Sequence, residues 1–278
     1  MTDTAAPTIS IAPGTWLDPR TAEPVAHSQL MRHLAMQRVV LLGETHDRYD
    51  VHRWQLHVAA GIMAHRPDIA LGFEMFPRRL QPVLDAFIAG AFASTTDFLA
   101  AAEWSEVWRF DPALYLPLFQ FCRQFRLPML ALNCHRPLVT RVGKQGWDDV
   151  PVEERDGLTP ARPALPAYRE YLARFAGPSG RPRDEMTSDR FVRAQQTWDR
   201  AFACNIARAL DGPAAPLVIG IIGRGHLEYG YGTPYQLADL GVDRVSIALP
   251  TDGPFDPLRE ANIADALFRL PATDGKAE

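Results

Sequence analysis

The chain has 278 residues, with 29 Lys and Arg against 33 Asp and Glu, so its formal net charge is −4. Hydrophobic residues make up 47% and charged residues 22%, which excludes a disordered chain, a collagen-like repeat and a coiled coil. Such a length buries the core of one large α/β domain or two small ones, and near-neutral charge leaves no electrostatic footprint for nucleic acid.

From the N-terminus, residues 1–10 carry Asp3 and Pro7 and lack a basic start followed by an apolar run. They do not read as a secretory signal, and the sequence predicts a cytoplasmic protein. Residues 38–44 (RVVLLGE) are the first short aliphatic run with the character of a buried strand. Val51, Trp54, Val58 and Ile62 follow at helical spacing. A second strand is expected at 69–75 (IALGFEM), after which Pro77 can open a helix carrying Leu80, Leu84 and Phe87 and stopped by Gly90. Asp111 and Pro112 are an N-cap and first turn for a helix over 111–126. A third strand is expected at 127–134 (LPMLALNC). Between Val150 and Arg183 six prolines interrupt the pattern, among them Pro178; residues 150–185 read as an insertion or lid, with a small helical piece near 168–175. A long helix is expected over 186–210, ending before Asp211-Gly212-Pro213, then strands at 216–223 (PLVIGIIG) and 244–249 (RVSIAL). Runs that are apolar throughout are covered on both faces, so the fold class is α/β with a mostly parallel central sheet flanked by helices. The expected organisation is one domain over 1–278, with a sheet core at about 38–250 and a C-terminal tail at 251–278. The longest aliphatic stretch, 217–222, is too short to span a bilayer. Cys122, Cys134 and Cys204 form no metal pair or disulfide framework, and Cys122 and Cys134, in or beside apolar segments, read as inert buried thiols.

The polar residues fall where these strands end. The first runs into Gly43-Glu44-Thr45-His46-Asp47, the second into Glu74, the third into Asn133-Cys134-His135-Arg136, and the last of the four into Gly223-Arg224-Gly225-His226. In a parallel sheet those ends share one edge, the edge at which open α/β folds bind ligands. Glu44, His46, Glu74 and His226 there can hold a divalent metal or run acid–base chemistry on water. The competing structural reading pairs Glu44 and Glu74 with Arg136 or Arg224 as ionic clamps. His52 and His57 read as partly solvated helix residues, and His27, His33 and His65 as surface. Tyr229, Tyr231 and Tyr235 follow His226 (HLEYGYGTPYQL), with glycines around Tyr231; a phenolate is a workable ligand for ferric haem. Trp104, Trp108 and Phe110 can wall a flat apolar ligand, although at least one Trp is expected in the core.

Four ordered blocks, LLGETHDRYDVHRWQ, LGFEMFPRRLQPVLDAFIAG, ALNCHRPLVTRVGKQGW and IGRGHLEYGYGTPYQL, resemble the ChaN-like haem-binding family of the superfamily that also holds Tiki-type and TraB-type proteins. The resemblance implies an α/β fold and haem as cofactor, bound through a Tyr that falls here on Tyr231 or Tyr229, in proteins that pair as dimers through stacked haems. It also implies, through erythromycin esterases and metal-dependent peptidases of the wider superfamily, a reactive or metal-holding set that falls on Glu44, His46, Glu74 and His226. The family's surface lipoproteins carry an anchor that these first residues do not show. Three functions follow from the sequence: haem binding for iron uptake, trafficking or storage; a metal-dependent or His-based hydrolase; and a non-catalytic interaction protein.

Overall fold

The structure, a computed structural model, describes residues 8–177, 180–212 and 215–271. Asp3, Pro7, Pro178, Pro213 and the end of the expected tail lie outside them. Eight strands form one sheet: β1 (Trp16–Asp18), β2 (Glu23–Val25), β3 (Val39–Glu44), β4 (Ile69–Pro77), β5 (Met129–Asn133), β6 (Leu217–Gly223), β7 (Val245–Thr251) and β8 (Ala266–Arg269). Their order is β2-β1-β8-β7-β3-β6-β4-β5. The pairs from β8 to β5 are parallel, and β1 runs antiparallel to β8 and β2. The fold is therefore α/β with a mostly parallel sheet.

Helices α1 (His27–Ala35), α2 (Tyr49–Met63), α3 (Gln81–Ile88), α4 (Thr95–Ala101), α5 (Trp104–Val107) and α6 (Leu116–Phe125) precede β5. After it come α7 (Arg136–Gln145), α8 (Pro166–Leu172), α9 (Arg183–Thr187), α10 (Asp189–Ala209), α11 (Thr233–Asp239) and α12 (Pro257–Glu260). The two-residue period of a strand divides β3 between two cores. Val40 and Leu42 join the one built with α1, α2, α3 and α6, while Val39 and Leu41 join Phe202 and Ile206 of α10 and Leu237 of α11 on the other face. Helices on both faces explain why the central strands read as unbroken apolar runs.

The elements depart from the sequence reading in four places. Strands β1, β2 and β8 lie outside 38–250, and β8 falls in the stretch read as a tail. They have three or four residues each, too few to show a period, and Pro24 sits in β2, which is tolerated only because β2 is an edge strand. The long helix is broken at Ser188, whose hydroxyl accepts from Phe191 N at 3.2 Å and starts α10 afresh. Asp111 caps only a 3₁₀ turn over Pro112–Leu114, and α6 begins at Leu116. Pro77 ends β4 and leads into a 3₁₀ turn, Arg78–Leu80, before α3.

Phe119 of α6 is the hub of the larger core. Its ring centroid lies 5.1 Å from that of Phe73, 5.5 Å from Phe76, 5.9 Å from Phe98 and 5.8 Å from Trp104. Phe119→Ala is expected to cost about 3–5 kcal/mol of unfolding free energy, through lost transfer energy and a cavity that four rigid rings cannot close; urea denaturation measures it, and a loss under about 1 kcal/mol contradicts this account.

Candidate active site at the strand ends

Sheet order and register assemble the site. Glu44 pairs with Gly223 across β3 and β6, and β6 pairs in turn with β4, which carries Glu74. Strand β5 follows on the far side of β4 and ends at Asn133. All four ends lie on one edge, as the parallel reading required.

Glu44 is 1% exposed. Its Oε1 lies 2.6 Å from His46 Nδ1 and accepts from the Tyr115 hydroxyl at 3.1 Å. Its Oε2 is buried with no hydrogen-bond partner among the described residues, 3.6 Å from His52 Nδ1. His52 is itself buried, which corrects its reading as a partly solvated residue. Its Nε2 lies 3.1 Å from the His46 carbonyl and its Nδ1 3.0 Å from Gln55 Oε1, so both ring nitrogens face oxygen acceptors. His57, His33 and His65 are exposed, and His27, also exposed, holds the Trp16 indole N–H through Nδ1 at 3.1 Å.

A second histidine mirrors the first. His226 Nδ1 lies 2.9 Å from Asp199 Oδ1, and its Nε2 is 3.9 Å from Glu74 Oε1. Asp199 is 0% exposed and accepts from the Tyr168 hydroxyl at 2.6 Å and the Thr233 hydroxyl at 3.1 Å. Glu74 Oε2 accepts from Gly223 N at 2.5 Å, and Asn133 Nδ2 donates to the Glu74 carbonyl at 2.8 Å. A Cβ on Gly223 would stand 3.2 Å from Glu74 Oε2 and 3.3 Å from His46 Nε2, so glycine is what lets these groups close on the strand end. Two carboxylate–histidine dyads, Glu44–His46 and Asp199–His226, thus flank one central carboxylate. The arginine clamps expected as an alternative are absent among the described residues: Arg224 pairs with Glu228, and Glu44 with the histidines.

Asp199, Tyr115, Tyr168 and Thr233 escaped the sequence reading. For Asp199 the signal was present, because Val192, Gln196, Phe202, Ala203 and Ile206 define the buried stripe of α10 and Asp199 sits in it. A carboxylate in the apolar stripe of a helix requires a partner. Tyr229 and Tyr231, by contrast, stand apart from the dyads. Their rings stack at 5.5 Å and 23°, against Tyr171 of α8, and Arg174 donates to the Tyr229 oxygen at 3.3 Å. Trp104 is core, with its indole N–H on the Phe110 carbonyl, whereas Trp108 meets the His46 ring edge-on at 4.8 Å.

Burial alone would lower the His46 pKa, but the Glu44 hydrogen bond and the negative charges of Glu74, Glu44 and Asp47 outweigh it and raise it to about 9. His226 is also raised, burial being opposed by Asp199 and Glu74. Burial and the neighbouring carboxylates hold the Tyr115 and Tyr168 hydroxyls protonated, each a fixed donor. Glu44, His46 and Glu74 also offer one donor atom each within 4.8 Å of one another, a donor set for a divalent cation that has to displace the His46 proton. A cavity of about 460 Å³ opens over these groups between Trp108, Arg136 and Trp198.

A histidine raised in the folded state stabilises it fully below its ordinary value of 6.5, and that contribution disappears as the pH climbs through about 9. Unfolding free energy is therefore expected to fall between pH 7 and pH 9.5, with a shallower fall in His46→Gln; equal slopes by urea denaturation at each pH would contradict the assignment.

Comparison with known proteins agrees with this architecture. Residues 30–237 match the family described as "Haem-binding uptake, Tiki superfamily, ChaN". Among solved structures, one described as cofacial haem binding to ChaN of Campylobacter jejuni superposes with a TM-score of 0.70 at 18% identity, over 91% of this chain and 95% of that one. A mutant of erythromycin esterase EreC in its open conformation superposes with a TM-score of 0.50 at 11% identity, over 85% of this chain and 76% of that one. At such identities both show a shared fold alone, and no curated protein matches by sequence. The match across strands β3 to β6 and their connecting helices is a match of family, and the chain belongs to the ChaN haem-binding family of the Tiki superfamily.

Proposed function

We propose that this protein binds haem and serves haem or iron uptake, trafficking or storage, as its family description implies. The observation that carries the reading is the stacked pair Tyr229 and Tyr231 with Arg174 against the Tyr229 oxygen. A phenolate ligates ferric haem, and here two stacked tyrosine rings offer flat neighbours for a macrocycle, with Arg174 against one phenolic oxygen. Both rings are partly exposed, and Arg174 lies 5.4 Å over the Tyr229 ring. Tyr229 or Tyr231 would hold the iron, and the haem would supply the ferric centre that the phenolate binds. Tyr229 now donates its proton to the Arg259 carbonyl at 3.1 Å, and that proton leaves on ligation. The protein works as a single ChaN-like domain over 1–278, with 150–185 as an insertion or lid, and pairs as a homodimer. Three buried free thiols support the cytoplasm, where they stay reduced. Among the described residues no helix is long and apolar enough to cross a membrane. Haemin titration of the purified protein is expected to give a saturable Soret band, shifted or lost in Tyr229→Phe or Tyr231→Phe; a band unchanged in both variants, or none in the wild type, overturns the reading.

The paired dyads favour a second reading, hydrolysis of an ester or amide at the strand ends. Glu74 takes a proton from a water whose oxygen bonds to the carbonyl carbon, and the oxyanion accepts a hydrogen bond from His46 Nε2–H. Collapse breaks the bond to the leaving group, which takes the His226 Nε2 proton; Glu74 then returns its proton to His226, leaving acid and alcohol or amine. Glu44 and Asp199 hold the two rings by Nδ1. Glu44, His46 and Glu74 would hold a divalent cation in place of the His46 proton, and such an ion would supply Lewis acidity. Glu74→Gln is expected to lower turnover about 10²–10⁴-fold on any ester that the wild type cleaves. Equal rates in the two proteins, or no cleavage across an ester and peptide panel with and without Mn²⁺, overturn this reading.

A further inference from the structure

A second cavity of about 480 Å³ meets the first at His46, Phe110, Gln195 and His226. One wall comes from the insertion, α9 and the start of α10 and is apolar: Leu172, Phe175, Met186 and Phe191. The opposite wall is the strand-end edge, with both dyad histidines. Leu172 and Phe191 also pack with the tyrosine cluster, and the Phe175 ring meets Tyr171 edge-on at 5.3 Å, yet all four side chains line this second cavity as well. Phe175 keeps 37% of its surface exposed there. The cation on the strand-end side, Arg224, is already paired with Glu228, and Glu228 also accepts from the Tyr171 hydroxyl of the insertion at 2.9 Å. Arg224 is thus engaged within the protein, while an aliphatic arm in this cavity meets four apolar side chains.

We propose that this groove is an acyl pocket: it takes the unbranched aliphatic arm of a neutral carboxylic ester whose carbonyl lies between His46, Glu74 and His226. The proposal rests on the hydrolytic reading and names its substrate class. The arm lies under the insertion, and the leaving group extends into the cavity walled by Trp108 and Trp198. Burying one more methylene gains about fourfold in kcat/KM, equivalent to about 0.8 kcal/mol, until the groove is full.

The test measures p-nitrophenyl esters from acetate to decanoate on the full chain, alongside binding of 2-dodecanone, a methyl ketone that cannot be hydrolysed, read by tryptophan fluorescence. Expected are a rise of about fourfold per methylene and saturable ketone binding, with the decanoate-to-acetate ratio and the ketone affinity both falling at least tenfold in Phe175→Asp. Phe191→Ser is a second variant, and thermal melting shows that each variant is folded. Ester cleavage with no chain-length dependence and no ketone binding overturns the acyl pocket and leaves the hydrolytic reading standing. Ketone binding lost in Phe175→Asp, with no ester cleaved by the wild type, supports the pocket as a binding site and overturns the hydrolytic reading. Neither cleavage nor ketone binding overturns both.

Discussion

The parallel pairing of β3 with β6 is the constraint from which the rest of the site follows. Its register sets Glu44 opposite Gly223, so two motifs separated by most of the chain emerge abreast. A slip of one residue would turn the side chains of β3 onto the wrong faces of the sheet. Val40 and Leu42 on one core and Val39 and Leu41 on the other hold that register from both sides. Packing far from the strand ends thereby fixes which polar groups meet there.

Those polar groups are costly, and the surroundings are arranged to offset the cost. Glu44 and Asp199 are buried almost completely, where an unpaired carboxylate would be unstable. Each is answered by a histidine and a tyrosine hydroxyl, His46 with Tyr115 and His226 with Tyr168. The two halves are built from different layers: Tyr115 precedes α6 on one face of the sheet, whereas Asp199 belongs to α10 on the other. Glu74, held by the Gly223 amide between them, is where both halves present a ring nitrogen. Gly232 completes the second half, because a Cβ there would stand 2.5 Å from the His226 carbonyl and 2.6 Å from Asp199 Oδ1.

Much of this was legible in the sequence because burial on both faces leaves a distinctive mark. Runs such as LLGE and LVIGIIG are apolar without alternation, and polar residues at their ends fall on one edge by topology alone. The shared position of Glu44, His46, Glu74 and His226 at that edge was read that way. The edge strands were not, since three residues carry no period and their pairing is decided by neighbours distant in sequence. Asp199 was hidden for a different reason: as one of two acidic residues in a 21-residue helix, the other being Asp189 in its first turn, it looks like solvated charge until the buried face of the helix is drawn. His52 illustrates the same limit, because helical spacing places it near the strand end but only the packing of Tyr115, 4.3 Å from its ring, closes the site over it.

The hydroxyl of Tyr168 ties the chemical centre to a segment outside the sheet. The sheet and its two cores are complete without the insertion, yet Asp199 gains one of its three donors only when α8 has docked. The chemical centre therefore depends on a segment that has no place of its own in the sheet. Loss of that segment would remove a donor from Asp199 and with it part of what holds the His226 ring.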